Sequence, residues 1–241
     1  MTALQLANVL AVTAAGWALW VRRHSFGSRW DGAITVGVAL YGLGSALESA
    51  WPAVASASYP LTGKYYLLPV LGNISYLAGT AVGLKSFYVR LLPDAEIGRF
   101  MRTWIAPVVA LAGSVMLLCA LVSPRTSTMP ANYLYAVDLD GWLRLYFITY
   151  FVSATALLWA AVFGGWRLRD GANSGAVIPL MLIALVGSLA CLGHLVATLT
   201  GHGAPALALA GGYLATTVTA LACGVYWRRR VNAMRGRPPK G

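Results

Sequence analysis

"GANSGAVIPLMLIALVGSLACLGHLVATLTGHGAPALALAGGYLATTVTALACGVYW", residues 171–227, contains no Asp, Glu, Lys or Arg. A helix needs about 20 mostly apolar residues to cross about 30 Å of hydrocarbon, so the run is too long for one crossing. Gly201-His202-Gly203-Ala204-Pro205 is a cluster of helix breakers in its middle. The reading is two spans, 175–199 and 206–227. Uncharged runs over 2–21, 32–47, 65–84, 103–124 and 145–166 add spans at about 3–21, 32–50, 66–86, 103–122 and 143–165. The runs are too long for barrel strands and show no period-2 alternation, and backbone groups in lipid must be paired internally. The expected fold is an all-α membrane protein, a seven-transmembrane-helix bundle over 1–227 with a basic tail over 228–241.

Composition agrees. With 59% hydrophobic and 10% charged residues and a mean hydropathy of +0.68, the chain lies far from the roughly quarter-charged soluble domain. Arg22 and Arg23 follow the first apolar run instead of preceding it, so that segment reads as a retained span and not a signal peptide. Of the 18 Lys and Arg residues, all but Lys64, Arg125 and Arg144 fall on one side of the seven-span arrangement. The positive-inside rule then sets the N-terminus outside and the C-terminus in the cytoplasm. That distribution also accounts for the net charge of +11 without nucleic acid. The tail, with Arg228, Arg229 and Arg230, is expected to lie on anionic lipid headgroups. Cys119, Cys191 and Cys223 fall inside spans and read as small apolar packers, with no disulfide framework.

Two connections are longer than the rest. Residues 87–102 mix apolar and basic side chains and read as an interfacial linker. Residues 123–142 carry Tyr133, Tyr135 and Trp142, which suit an aromatic belt; Asp138 and Asp140 there read as a solvated pair, with no metal site. Tyr76-Leu77-Ala78-Gly79-Thr80 echoes Tyr213-Leu214-Ala215-Thr216-Thr217, and Gly44-Ser45 echoes Gly187-Ser188. A parallel 3+1+3 repeat would leave such echoes, and so would chance in apolar text.

Polar groups inside spans are costly and mark functional candidates. Here they are Asn8, Glu48, Asn73 and His194, with Arg144 at a boundary. A rise of 1.5 Å per residue puts Glu48, Asn73 and His194 at one level in the outer half. One reading is an outward-facing polar pocket lined by these three with Tyr41 and Tyr76; the other is interfacial reach by Glu48 and polar packing by Asn73 and His194. Gly79 and Gly83 form a GxxxG pattern suited to close helix packing. No HExxH, CxxC or phosphate loop is present, and the last span has no lysine for a retinal Schiff base. The expectation is a non-enzymatic protein without a cofactor.

Trp20-Val21-Arg22-Arg23, Asn73-Ile74-Ser75-Tyr76-Leu77-Ala78 and Leu91-Leu92 give the chain a pattern that resembles multi-pass membrane proteins of mycobacteria, streptomycetes and their phages, loosely labelled transporters. The resemblance implies a bacterial plasma-membrane location and carries no catalytic residues. Three function classes stay open. The leading one is a sensor or receptor-like or interaction module with the outward-facing polar pocket, reporting to a separate cytoplasmic partner. Another is a small proton-coupled transporter using Glu48 and His194. The third is a structural or exclusion protein.

Overall fold

The structure, a computed structural model, describes residues 1–28, 31–128, 134, 139–170, 174–201 and 205–235. Among these residues there are helices and no strands. The helices are α1 (Ala3–Arg22), α2 (Gly32–Leu47), α3 (Pro52–Ser56), α4 (Tyr59–Thr62), α5 (Leu67–Tyr88), α6 (Asp94–Phe100), α7 (Ala106–Val122), α8 (Gly141–Leu168), α9 (Ser174–Thr200) and α10 (Pro205–Arg235). Six helical stretches among them are long and apolar enough to cross a membrane. Leu61, Leu111, Val186, Leu207 and Leu214 point outward from the bundle, as side chains solvated by lipid do. The chain is a multi-pass helical membrane protein.

One expected span departs from the simple picture. α2 has 16 residues, which gives a length of about 24 Å, short of the roughly 30 Å of hydrocarbon. It breaks at Glu48, and the α3–α4 segment continues at 90° to it. Residues 49–66 therefore fold across the end of the bundle instead of leaving it. Tyr66 ends this segment with φ at +66°, a backbone strained for a residue with a Cβ. Its neighbours hold it there: Tyr66 N donates to Ala55 O at 2.8 Å, Tyr65 N to Thr126 O at 2.7 Å, and Lys64 Nζ to Ser123 O at 2.9 Å.

The linker expected over 87–102 does not lie apart from the bundle. α6 starts at Asp94 and runs through a π-turn, Met101–Ile105, into α7 as one apolar stretch, Asp94–Val122. Asp94 and Glu96 in its first turn suit the positive end of the helix dipole. Asp140, read as a solvated loop residue, caps α8: its Oδ1 accepts from Leu143 N at 2.7 Å and its Oδ2 from Ser123 Oγ at 2.6 Å. Tyr133, Tyr135 and Asp138 lie outside the described residues, as does the breaker His202-Gly203-Ala204.

Small residues set the closest helix contacts. A Cβ on Gly72 would lie 2.9 Å from Gly44 O and from Glu48 N, and one on Gly37 would lie 3.2 Å from Gly79 O. α2 and α5 thus touch backbone to backbone along Gly37, Gly44, Gly72, Gly79 and Gly83. α1 rests on α10, where the Trp17 ring covers Gly224. α9 packs on α8, with Met181 on Gly165 and Leu158 on Gly187. The three cysteines are free; Cys119 and Cys223 are buried.

Candidate functional site

α2 ends in two polar clusters, one at each terminus. At its start Arg22 is 1% exposed, although it closes α1 and reads in sequence as a flanking charge. Its Nε donates to Thr35 Oγ1 at 3.0 Å, its Nη2 to Asp31 O at 3.0 Å and its Nη1 to Cys223 O at 3.3 Å. Asp31 stands beside it, Oδ1 at 4.0 Å, and takes a second cation, Arg230 Nη1, on Oδ2 at 3.0 Å. The Trp227 ring lies against the Arg22 guanidinium with its centroid at 5.0 Å. Buried charges persist where they are paired and hydrogen-bonded, and this group meets both conditions. It ties α1, α2 and α10 together at the end that holds Arg23, Arg90, Arg167 and Arg228, the basic end.

The other cluster surrounds Glu48, which is 3% exposed. Its carbonyl, left over where α2 stops, accepts from Tyr213 OH at 2.6 Å. One turn earlier Ser45 Oγ shares a hydrogen bond with Tyr76 OH at 2.8 Å and donates to Thr216 Oγ1 at 3.1 Å, while Ser45 O accepts from Asn8 Nδ2 at 2.6 Å. Gly212 admits the carboxylate and the phenol to α10: a Cβ there would lie 3.9 Å from Glu48 Oε2 and 3.7 Å from Tyr76 OH. Asn73 Nδ2 donates to Tyr146 OH at 2.8 Å and joins α5 to α8. Helices α1, α2, α5, α8 and α10 all send polar groups to this level.

Of the residues singled out by sequence, Glu48, Asn73 and Tyr76 fall at one level, and Tyr41 lies about two turns nearer the basic end, bonded to Thr80 Oγ1 at 2.7 Å. The Tyr41 and Tyr76 ring centroids are 5.8 Å apart. His194 shares the level but not the contacts. Its ring stacks on Phe151 at 5.5 Å and its carbonyl accepts from Thr198; Glu48 is not among its hydrogen-bond or ion-pair partners. Gly79 and Gly83 lie on the α2–α5 seam, and Arg230 pairs with Asp31. Asn8, Tyr146, Tyr213 and Thr216 complete the cluster. Asn8 carries a mark in sequence as a polar group within a span; Tyr146 and Tyr213 do not, because a tyrosine inside a span reads equally as core or interface.

The expected outward-facing pocket takes a different form. Residues 49–66 cover Glu48 on its far side, with Ser49, Ala50 and Ala55 buried. Two cavities lie toward the basic end. A narrow cavity of about 80 Å³ runs beside Tyr41, Thr80, Gly83 and Ala184. It shares Ile34, Ser86, Phe87, Leu180 and Cys223 with a larger one of about 400 Å³ that reaches Arg90 and Arg229. Ile34, Val38, Tyr41, Ser45 and Glu48 follow one stripe of α2 at helical spacing. Tyr76, Thr80, Gly83 and Phe87 do so on α5. The same seam carries the cavities at one end and the carboxyl at the other.

Together the fold and site define a multi-pass helical membrane protein with a polar seam through its bundle. Compared with known proteins, the chain matches no family model, no curated protein and no solved structure.

Proposed function

We propose that the chain is a small proton-linked transporter of the bacterial plasma membrane, without enzymatic chemistry, and that Glu48 is the group that takes up and releases the proton. One observation carries this reading: a carboxyl buried where a membrane helix breaks, at the head of a seam whose other end is open. Ionisable groups at such depth are expensive and persist where they move or sense charge, and interrupted helices commonly build the sites of transporters. Protonation removes the charge from a low-dielectric site. It therefore changes how tightly the tyrosine and serine hydroxyls of α2, α5 and α10 hold together.

In this reading α2 with α3 and α4 makes the seventh crossing, bent at Glu48, and the Lys and Arg distribution puts the N-terminus outside and the basic end in the cytoplasm. The 3+1+3 alignment pairs Tyr76 with Tyr213, and both hydroxyls reach the last turn of α2. The resemblance to actinobacterial proteins labelled transporters points the same way. A sensor would call for an opening on the side opposite the basic end, and a purely structural protein would not need the carboxyl. His194 has no part in the proton step.

The test uses purified protein in liposomes with pyranine inside and a valinomycin-imposed potassium potential. Wild type is expected to carry protons above the rate of protein-free vesicles, and Glu48→Gln to abolish the difference while eluting as wild type does on size exclusion. Flux equal to that of empty vesicles, or flux retained by Glu48→Gln, overturns the reading.

A further inference from the structure

We infer that the larger cavity is a binding site for one anionic phospholipid of the leaflet at the basic end, with an acyl chain inside the cleft and the phosphate at its mouth. The cavity, about 400 Å³, lies between α5, α9 and α10, with Ile34 of α2 and the Asp31-paired Arg22 of α1 also on its lining, within the size range of small-ligand sites. Its walls are apolar: Phe87, Leu180, Val218 and Leu221 among others. Val218, Leu221 and Val225 are also exposed on the outer surface of α10, so the cleft opens sideways into the bilayer and not only toward water. An occupant enters from the lipid.

The mouth supplies the charge. Arg90, just beyond α5, and Arg229, in the last turns of α10, both line it. Neither is in an ion pair among the described residues, in contrast to Arg22 and Arg230. Pro179 lines the same wall, and inside α9 its ring removes one rung of the hydrogen-bond ladder there. An apolar slot with a lateral opening and two unneutralised guanidinium groups at headgroup level is complementary to an anionic lipid. A zwitterionic lipid fits the slot and wastes the charge.

The site is distinct from diffuse attraction to the basic tail, because Arg228, one residue away on α10, is exposed and does not line the cleft. It is also independent of the proton step at Glu48. The experiment is native mass spectrometry of the full chain, delipidated in neutral detergent and titrated with phosphatidylglycerol, phosphatidylcholine or dodecanoate. Wild type is expected to retain one phosphatidylglycerol in preference to the other two. Arg90→Gln and Arg229→Gln should each weaken it roughly fivefold, as expected for one basic residue at a headgroup. Arg228→Gln should leave it within twofold. Leu221→Trp, which fills the slot, should displace the lipid; the variants of half-buried Arg90 and exposed Arg229 decide the matter if the tryptophan variant fails to fold. Equal retention of phosphatidylcholine, an Arg228→Gln loss as large as the other two, or stronger binding of dodecanoate would each overturn the assignment.

Discussion

Replacing Asp31 by Asn leaves the shape of the Arg22 site intact and removes its only carboxylate among the described contacts. Arg22 keeps its three hydrogen bonds, because the acceptors are Thr35 Oγ1 and the carbonyls of Asp31 and Cys223. What is lost is charge compensation. At 4.0 Å two unit charges interact by about 4 kcal/mol at an effective dielectric of 20. Breaking a buried pair costs about 3–5 kcal/mol when one charge is left uncompensated. The surviving hydrogen bonds soften that, so Asp31→Asn is expected to cost about 2–3 kcal/mol, just below that range. Arg230 pairs with the same carboxylate at a shorter distance, 3.0 Å, but its side chain is 41% exposed. Solvent screening holds Arg230→Gln to about 0.5–1 kcal/mol. Reversible unfolding in mixed detergent micelles measures both, and in the Asp31→Asn background Arg230→Gln should cost almost nothing. Loss of less than 0.5 kcal/mol in Asp31→Asn, or an Arg230→Gln loss as large, would refute the view that Asp31 holds a buried Arg22.

Other changes test the seam. Gly72→Ala drives a Cβ to 2.9 Å from backbone atoms of α2 and should cost about 1–3 kcal/mol by overpacking, whereas Gly83→Ala meets nothing within 4 Å and should be neutral or stabilising by up to ~1 kcal/mol; micellar unfolding of the pair compares them. Tyr213→Phe removes the donor to Glu48 O, for about 0.5–1.5 kcal/mol, and is expected to change the rate of proton flux without abolishing it. His194→Ala should leave proton flux within twofold of wild type, measured beside Glu48→Gln. A loss equal to that of Glu48→Gln would return His194 to the proton path.

The helix positions were legible because lipid imposes a length and forbids charge, and both are written in sequence: 66–86 was expected where Leu67–Tyr88 stands, and 143–165 where Gly141–Leu168 stands. Asp94 and Glu96 after Pro93 were a helix-start signal for α6 that the apolar and basic mixture of 87–102 masked. Glu48 was legible as a lone carboxylate in an apolar run. Its setting was legible only in part: Asn8 stood out as a polar residue in a span, but Tyr213, which donates to Glu48 O, and Tyr146, which accepts from Asn73, did not, because which face of each helix turns inward depends on packing that one chain's hydropathy hardly encodes. Arg22 was hidden for a related reason. An arginine after an apolar run marks topology whether it reaches headgroups or, as here, is enclosed by α2 and α10.

Both clusters sit on α2, and this limits how the seam can change. Asp31 and Thr35 fix its start to Arg22, and Ser45 and Glu48 fix its end to α5 and α10. Between them Gly37 and Gly44 bring its backbone against α5, where an added Cβ would find only 3.0–3.2 Å to the neighbouring carbonyls. Close packing of this kind resists gradual deformation. α9 is held differently: Gly165 and Leu158 of α8 receive it on one side, its outer face carries Ile178, Leu182, Val186 and Leu189, and the cavities separate it from α2 and α5 along Leu180, Ile183 and Ala184. A seam bounded by one wall pinned at both ends and another backed by α8 can widen only where the second wall gives. In the transport reading proposed above, the wall left to move is therefore α9, which packs on α8 and borders the cavities.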